Sequence, residues 1–183
     1  MNKIKRSDLS SKFTITKQDY GAKSAIEGVK IIEVPYFSDE GGALSEIAHL
    51  NESAESAEFS GFHLKQVNWT FMTPGTIKAG HVHLNQEDIW VVPPTDRMLV
   101  GLLDLRKSSK TYLQKMRIIL GAGKTRLLYI PRGVAHGAAN LWNRDMMMLY
   151  FVNQRFTTDP KENDEHRIPA HAWGKDFWTI PAA

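Results

Sequence analysis

Thirteen residues from Gly75 to Glu87, Gly-Thr-Ile-Lys-Ala-Gly-His-Val-His-Leu-Asn-Gln-Glu, carry the densest chemistry in this chain. They place His81 and His83 two apart, with the carboxylate of Glu87 four residues further on. Alternate residues of a strand project from one face, so both imidazoles can reach a single ion. A second segment, Pro131-Arg-Gly-Val-Ala-His136-Gly-Ala-Ala-Asn140, sets another histidine behind a Pro-x-Gly turn. Three neutral imidazoles and a carboxylate suit a divalent first-row metal (Fe, Mn, Zn or Ni) and leave positions open for water or substrate. The expected metal ligands are therefore His81, His83, Glu87 and His136.

Such residues must be held by short strands. Strand-like runs recur at 30–37, 62–71, 76–84, 88–92, 97–105, 113–120, 126–130 and 146–151, separated by Gly, Pro and Asp turn residues. No amphipathic helix intervenes, which predicts an all-β sandwich or barrel. Residues 1–28 are polar and read as an amino-terminal arm, with the barrel and a carboxy-terminal extension over 29–183. The acidic stretch 51–60 is expected to be an exposed loop. The tail turns aromatic at Trp173, Phe177 and Trp178 and is expected to pack on the barrel. Lys78 and His81 have opposite strand parity, so both can enter one site only if the strand kinks, which Gly80 could allow.

Composition narrows the classes. The chain has 183 residues and no cysteine, which excludes disulfides, thiolate metal sites and cysteine nucleophiles. The net charge of +3 is scattered rather than gathered into a basic stripe, against nucleic acid as a partner. No apolar run reaches the length of a membrane span and none reads as a signal peptide, so a cytoplasmic location is expected. A mild positive bias suits a small anionic ligand.

The spacing Gly-x5-His-x-His-x3-Glu followed by Pro-x-Gly-x2-His-x3-Asn resembles the two metal motifs of the cupin superfamily. Further short signatures resemble one cupin branch, the dTDP-4-dehydrorhamnose 3,5-epimerase family. Phe37-Ser-Asp39-Glu-Gly-Gly-Ala-Leu-Ser-Glu46 is similar to that family's early Phe-x-Asp-x-Arg-Gly-x-Phe-x-Glu. Gln66-Val-Asn68-Trp-Thr, Asp104-Leu-Arg-Lys-Ser-Ser109 and Ile130-Pro-Arg-Gly-Val-Ala-His136-Gly are similar to its later motifs. The resemblance implies a cupin-type jelly-roll barrel, a homodimer and a nucleotide-sugar substrate.

It also implies roles. Family members remove a proton beside a C4 ketone with a histidine base held by an aspartate, and a tyrosine serves as acid. By position the base is His81, Gln66 and Asn68 contact the nucleotide, and Lys78 replaces a phosphate-binding arginine. The family's early arginine falls on Gly41 and its lysine near Asp88. Its acidic tyrosine falls near Arg155 or Phe156, and its base-orienting aspartate near Ala170 or His171. Tyr150, on a strand after Met146-Met-Met148, is a second candidate for proton transfer. The resulting expectation is a metal-binding cupin that epimerises or isomerises a keto-sugar by metal-assisted proton abstraction. A metal-dependent cupin dioxygenase and a non-catalytic sugar- or metal-binding module are the alternatives.

Overall fold

Among the described residues, twelve short strands fold into two five-stranded antiparallel sheets and one small hairpin. The computed structural model describes residues 4–16 and 25–180; the rest, including part of the expected arm, lie outside the described residues. The strands are β1 (Lys30–Glu33), β2 (Phe37–Ser38), β3 (Ala43–Leu44), β4 (Gln66–Met72), β5 (Ile77–Val82) and β6 (Asp88–Val91). They continue as β7 (Arg97–Asp104), β8 (Lys115–Gly121), β9 (Arg126–Ile130), β10 (Val134–Ala139), β11 (Met146–Val152) and β12 (His166–Arg167). One sheet has the order β1-β9-β6-β11-β4, the other β12-β5-β10-β7-β8, and β2 pairs with β3. This is the all-β jelly-roll barrel that the strand rhythm and the motifs predict. No helix among the described residues is long and apolar enough to cross a membrane.

Three apolar layers follow from which faces are covered. The main core lies between the sheets, where Trp90, Met98, Val100, Leu102, Leu128 and Met148 meet. Ile26 also joins it, whereas residues 4–16 of the arm are exposed. A second layer covers the outside of the first sheet: Phe59 stacks on Tyr129 with ring centroids 5.3 Å apart. The stretch 51–60 is therefore not simply an exposed loop. Its polar residues form the turns, Asn51 Oδ1 accepting from the Ser53 and Glu55 amides, while Phe59 is 1% exposed and anchors it.

The third layer is the tail. Trp173, Phe177 and Trp178 pack together over the second sheet, against Val82, Leu103 and Ala135. Gly101 on β7 makes room for them, since a Cβ there would lie 2.4 Å from the Phe177 ring. With both faces covered, β7 and β10 are buried almost end to end and show no alternation. β10 is missing from the strand-like runs read in the sequence, because Val-Ala-His-Gly-Ala-Ala has neither alternation nor many β-formers. β4, an edge strand with an open outer face, alternates cleanly.

Asp104, at the end of β7, is fully buried and accepts from Arg106 (backbone amide, Nε and Nη2), Ser109 Oγ and Thr111 Oγ1. Burial pushes its carboxyl up, but the bonds from Arg106, Ser109 and Thr111 together outweigh this and hold it far below the usual range. Asp104→Asn leaves the Arg106 guanidinium without its carboxylate and turns an amide N–H toward donors. The expected loss is about 2–3 kcal/mol, because Arg106 keeps some contact with water. That corresponds to a melting temperature lower by roughly 5–10 °C. Since the folded pKa is depressed, this stability is present above the unfolded carboxylate pKa of about 3.9 and is lost as pH falls below it. Thermal melts at pH 7 and in acid check both: the gap between wild type and variant must narrow in acid.

Candidate active site

Between the inner faces of the two sheets lies a cavity of about 420 Å³. Gln66 and Asn68 enter it from β4, Lys78 and His81 from β5, His136 from β10 and Tyr150 from β11. His83, just past β5, joins them. Gln66 Nε2 donates to Asn68 Oδ1 at 2.6 Å, and Lys78 Nζ donates to Thr70 Oγ1 at 3.0 Å, so the wall toward β4 is polar and ordered. Glu87 is not in the cavity.

Gly80 lets β5 deliver both Lys78 and His81. Opposite β5, His136 pairs with His81 but Gly137 pairs with Ala79, so Gly80 is the extra residue of a bulge. Its φ is +90°, and a Cβ there would sit 2.7 Å from the Ile168 carbonyl oxygen. Both conditions admit only glycine.

His81 is oriented by the tail. β12 pairs with β5, Arg167 lying opposite His81, and this brings Glu165 Oε1 to 3.0 Å from His81 Nδ1. An ionised carboxylate only accepts, so Nδ1 carries the proton and Nε2 keeps its lone pair. Burial, then the positive charge of Arg167, lower the imidazole pKa, while Glu165 opposes them. The neighbouring Asp164 fastens the same junction: its carboxylate accepts from the Leu84, Asn85 and Gln86 amides at 2.7–3.1 Å.

Deeper in the cavity, His83, Asp88 and His136 bring one ligand atom each to within 4.8 Å of one another. His83 Nδ1 donates to the Asp164 carbonyl at 2.8 Å and His136 Nδ1 to that of Val134 at 3.0 Å. Burial lowers the His136 pKa and the nearby Asp88 charge opposes this. The expected ligand set thus needs two corrections. Glu87 turns to the outer side, where its carboxylate meets Asn153 Nδ2 at 3.1 Å and Arg132 Nε at 3.2 Å, beside Tyr129. Asp88, the next residue and the first of β6, has the inward parity instead. His81 stands apart from the three, its Nδ1 engaged by Glu165.

The model of the dTDP-4-dehydrorhamnose 3,5-epimerase family matches residues 23–170 of this sequence. The chain belongs to that family.

Its class is therefore that of the sugar-nucleotide epimerases and isomerases. The spore coat polysaccharide biosynthesis protein SpsL of Bacillus subtilis (strain 168) is 35% identical over 144 residues, 79% of this chain and 89% of that protein. The dTDP-4-dehydrorhamnose 3,5-epimerase of Bacillus anthracis str. Ames, solved with TDP and PPi bound, is 25% identical with a TM-score of 0.66, covering 87% of each chain. The dTDP-6-deoxy-D-glucose-3,5-epimerase RmlC of Legionella pneumophila Philadelphia 1, solved with dTDP-4-keto-L-rhamnose, shares the fold with a TM-score of 0.70 at 23% identity. That comparison covers 86% of this chain and 82% of that one.

Within this family member, the carboxylate facing the histidine is Glu165, upstream of the Ala170 and His171 positions expected from the motif order. Arg155 and Phe156, where the family's tyrosine was expected, line the cavity rim. Sequence reasoning missed Asp88, Asp164 and Glu165. The run Asp164-Glu165-His166-Arg167, a few residues upstream of the position expected for the base-orienting carboxylate, was an available signal for the last two.

Proposed function

We propose that this chain epimerises a nucleotide-linked keto-sugar beside its ketone, with His81 as base and Tyr150 as acid. The observation that supports this best is the placement of the two groups. His81, held by Glu165, belongs to one sheet and Tyr150 to the other, so they face the cavity from opposing walls. Inversion at a carbon needs a proton removed from one face and another delivered to the opposite face. His81 Nε2 takes the proton next to the ketone, the electron pair moves onto the ketone oxygen, and the enolate collapses as the Tyr150 hydroxyl protonates the other face. Burial first, then the charges of Asp88 and Glu165, raise the Tyr150 pKa, so the hydroxyl carries its proton at neutral pH. Lys78 offers a cation to the diphosphate, and Gln66 and Asn68 offer amides to the nucleotide.

The test is exchange in D2O with a dTDP-linked 4-keto-6-deoxyhexose. Deuterium should enter at carbon beside the ketone, together with an epimerised product. Absence of both, with the substrate bound, would sink the epimerase reading.

Pairing with a second copy is part of the proposal. β4 is an edge strand whose outward residues Val67, Trp69 and Phe71 are about half or more exposed, Trp69 at 64%. An unpartnered apolar row on a sheet edge fits a symmetric interface. Sedimentation should give a dimer that Trp69→Glu converts to monomer; a wild-type monomer at micromolar concentration would refute it.

A further inference from the structure

Proton transfer as derived above gives the buried His83, Asp88 and His136 no direct contact with the reacting atoms. They are 9%, 3% and 3% exposed, and each is aimed by its own partner. Backbone carbonyls take the Nδ1 protons of both histidines, so both Nε2 atoms carry lone pairs. Trp90 Nε1 donates to Asp88 Oδ2 at 3.0 Å and fixes that carboxylate. Partners of this kind around imidazole and carboxylate ligands set tautomer and direction at metal centres.

A further observation points to a cation. The Gln86 amide Nε2 lies 2.8 Å from Asp88 Oδ1 and 3.2 Å from His83 Nε2, bridging two ligand groups with its N–H bonds. It puts partial positive charge where those acceptors converge. We propose that His83 Nε2, His136 Nε2 and an Asp88 carboxylate oxygen form a divalent transition-metal site, with the Gln86 amide standing in the cation's place when none is bound.

The distances permit it. Metal–ligand bonds of about 2.0–2.2 Å set neighbouring ligand atoms about 3–3.5 Å apart. His136 Nε2 and Asp88 Oδ2 are 3.7 Å apart, so a small contraction suffices. Two imidazoles and one carboxylate suit Fe2+, Mn2+, Co2+ or Zn2+, with further positions open toward the cavity. The site deepens the epimerase reading, on which its catalytic use rests: a cation held by His83, Asp88 and His136 would supply positive charge to the cavity that takes the keto-sugar. Binding itself does not depend on that reading.

Chelator-treated protein titrated with Co2+ and Zn2+, followed by calorimetry and by the visible absorption of Co2+, tests the site without substrate. One ion per chain is expected. His83→Gln and Asp88→Asn should each weaken binding by at least about 100-fold, since loss of a ligand exceeds loss of an outer partner. Gln86→Ala should tighten it about tenfold by removing the competing amide. Glu87→Gln should leave affinity unchanged. Metal-free melting temperatures show that each variant is folded; if one of the two ligand variants is not, the other decides. No stoichiometric binding, or binding that survives both ligand substitutions, overturns the site, and so does binding that depends on Glu87 but not Asp88. Binding without deuterium exchange would overturn the epimerase reading alone, and exchange without binding would overturn the metal site alone.

Discussion

His81→Asn is expected to lower epimerisation and solvent exchange by about 10³-fold or more while the protein still binds its nucleotide sugar. Removing a general base costs about 10²–10⁴-fold, and no other imidazole in the cavity can take over. His83 and His136 hold Nδ1 protons against backbone carbonyls, with their Nε2 atoms directed at Gln86 and Asp88. Glu165→Gln should fall between wild type and His81→Asn. The amide keeps the size of the side chain but removes the negative charge that fixes the Nδ1–H tautomer and stabilises the imidazolium formed on proton transfer. Because Glu165 acts through His81, its loss should lower kcat with KM nearly unchanged, and Glu165→Asp should recover part of the loss. A Glu165→Gln enzyme with wild-type kcat would remove the dyad from the mechanism. Persistent exchange in His81→Asn would remove His81 itself.

Tyr150→Phe should separate two events that are coupled in wild type. His81 can still remove the proton and return a deuteron to the same face, so unreacted substrate should continue to gain deuterium. Delivery to the opposite face needs the phenol, so inverted product should fall by about 10²-fold. The substitution removes one oxygen from a half-buried ring that packs beside the main core, and the fold should be little affected. NMR of recovered substrate and product measures both quantities in one reaction. Equal loss of exchange and inversion would instead make Tyr150 part of substrate positioning, and no loss of either would exclude it as acid.

On the proposed mechanism the family's roles fall to an altered set of side chains. The histidine at the position of the family's base is kept as His81, but the carboxylate it meets is a glutamate next to the short strand β12, which pairs with β5. Tyr150, the proposed proton donor, sits on β11, upstream of the position implied by motif order. Where the resemblance places a lysine, Asp88 faces inward and shares His136 with His83. A cavity can keep its wall architecture while the charges on it are exchanged, because each inward position on a strand is fixed by parity and not by the residue placed there.

What the sequence determined by itself was local. Short strands with Gly, Pro and Asp punctuation specify an all-β barrel, since neither helix period nor long apolar runs compete. Period-two geometry put His81 and His83 on one face, and the conflict of parity at Lys78 called for the bulge found at Gly80. Gln66, Asn68, Lys78, His81, His83, His136 and Tyr150 all line the cavity. Tertiary structure alone decided the rest. Whether Glu87 or Asp88 turns inward depends on where β6 begins, and one residue of register reverses the face. β10 was illegible because burial on both faces erases alternation. Phe59 looked like part of an exposed acidic loop until Tyr129 supplied the ring it stacks on. Asp164 reaches the His83 imidazole across 81 residues of chain, and Glu165 reaches His81 beside it. Periodicity records which way a side chain points; the path of the chain decides what it meets there.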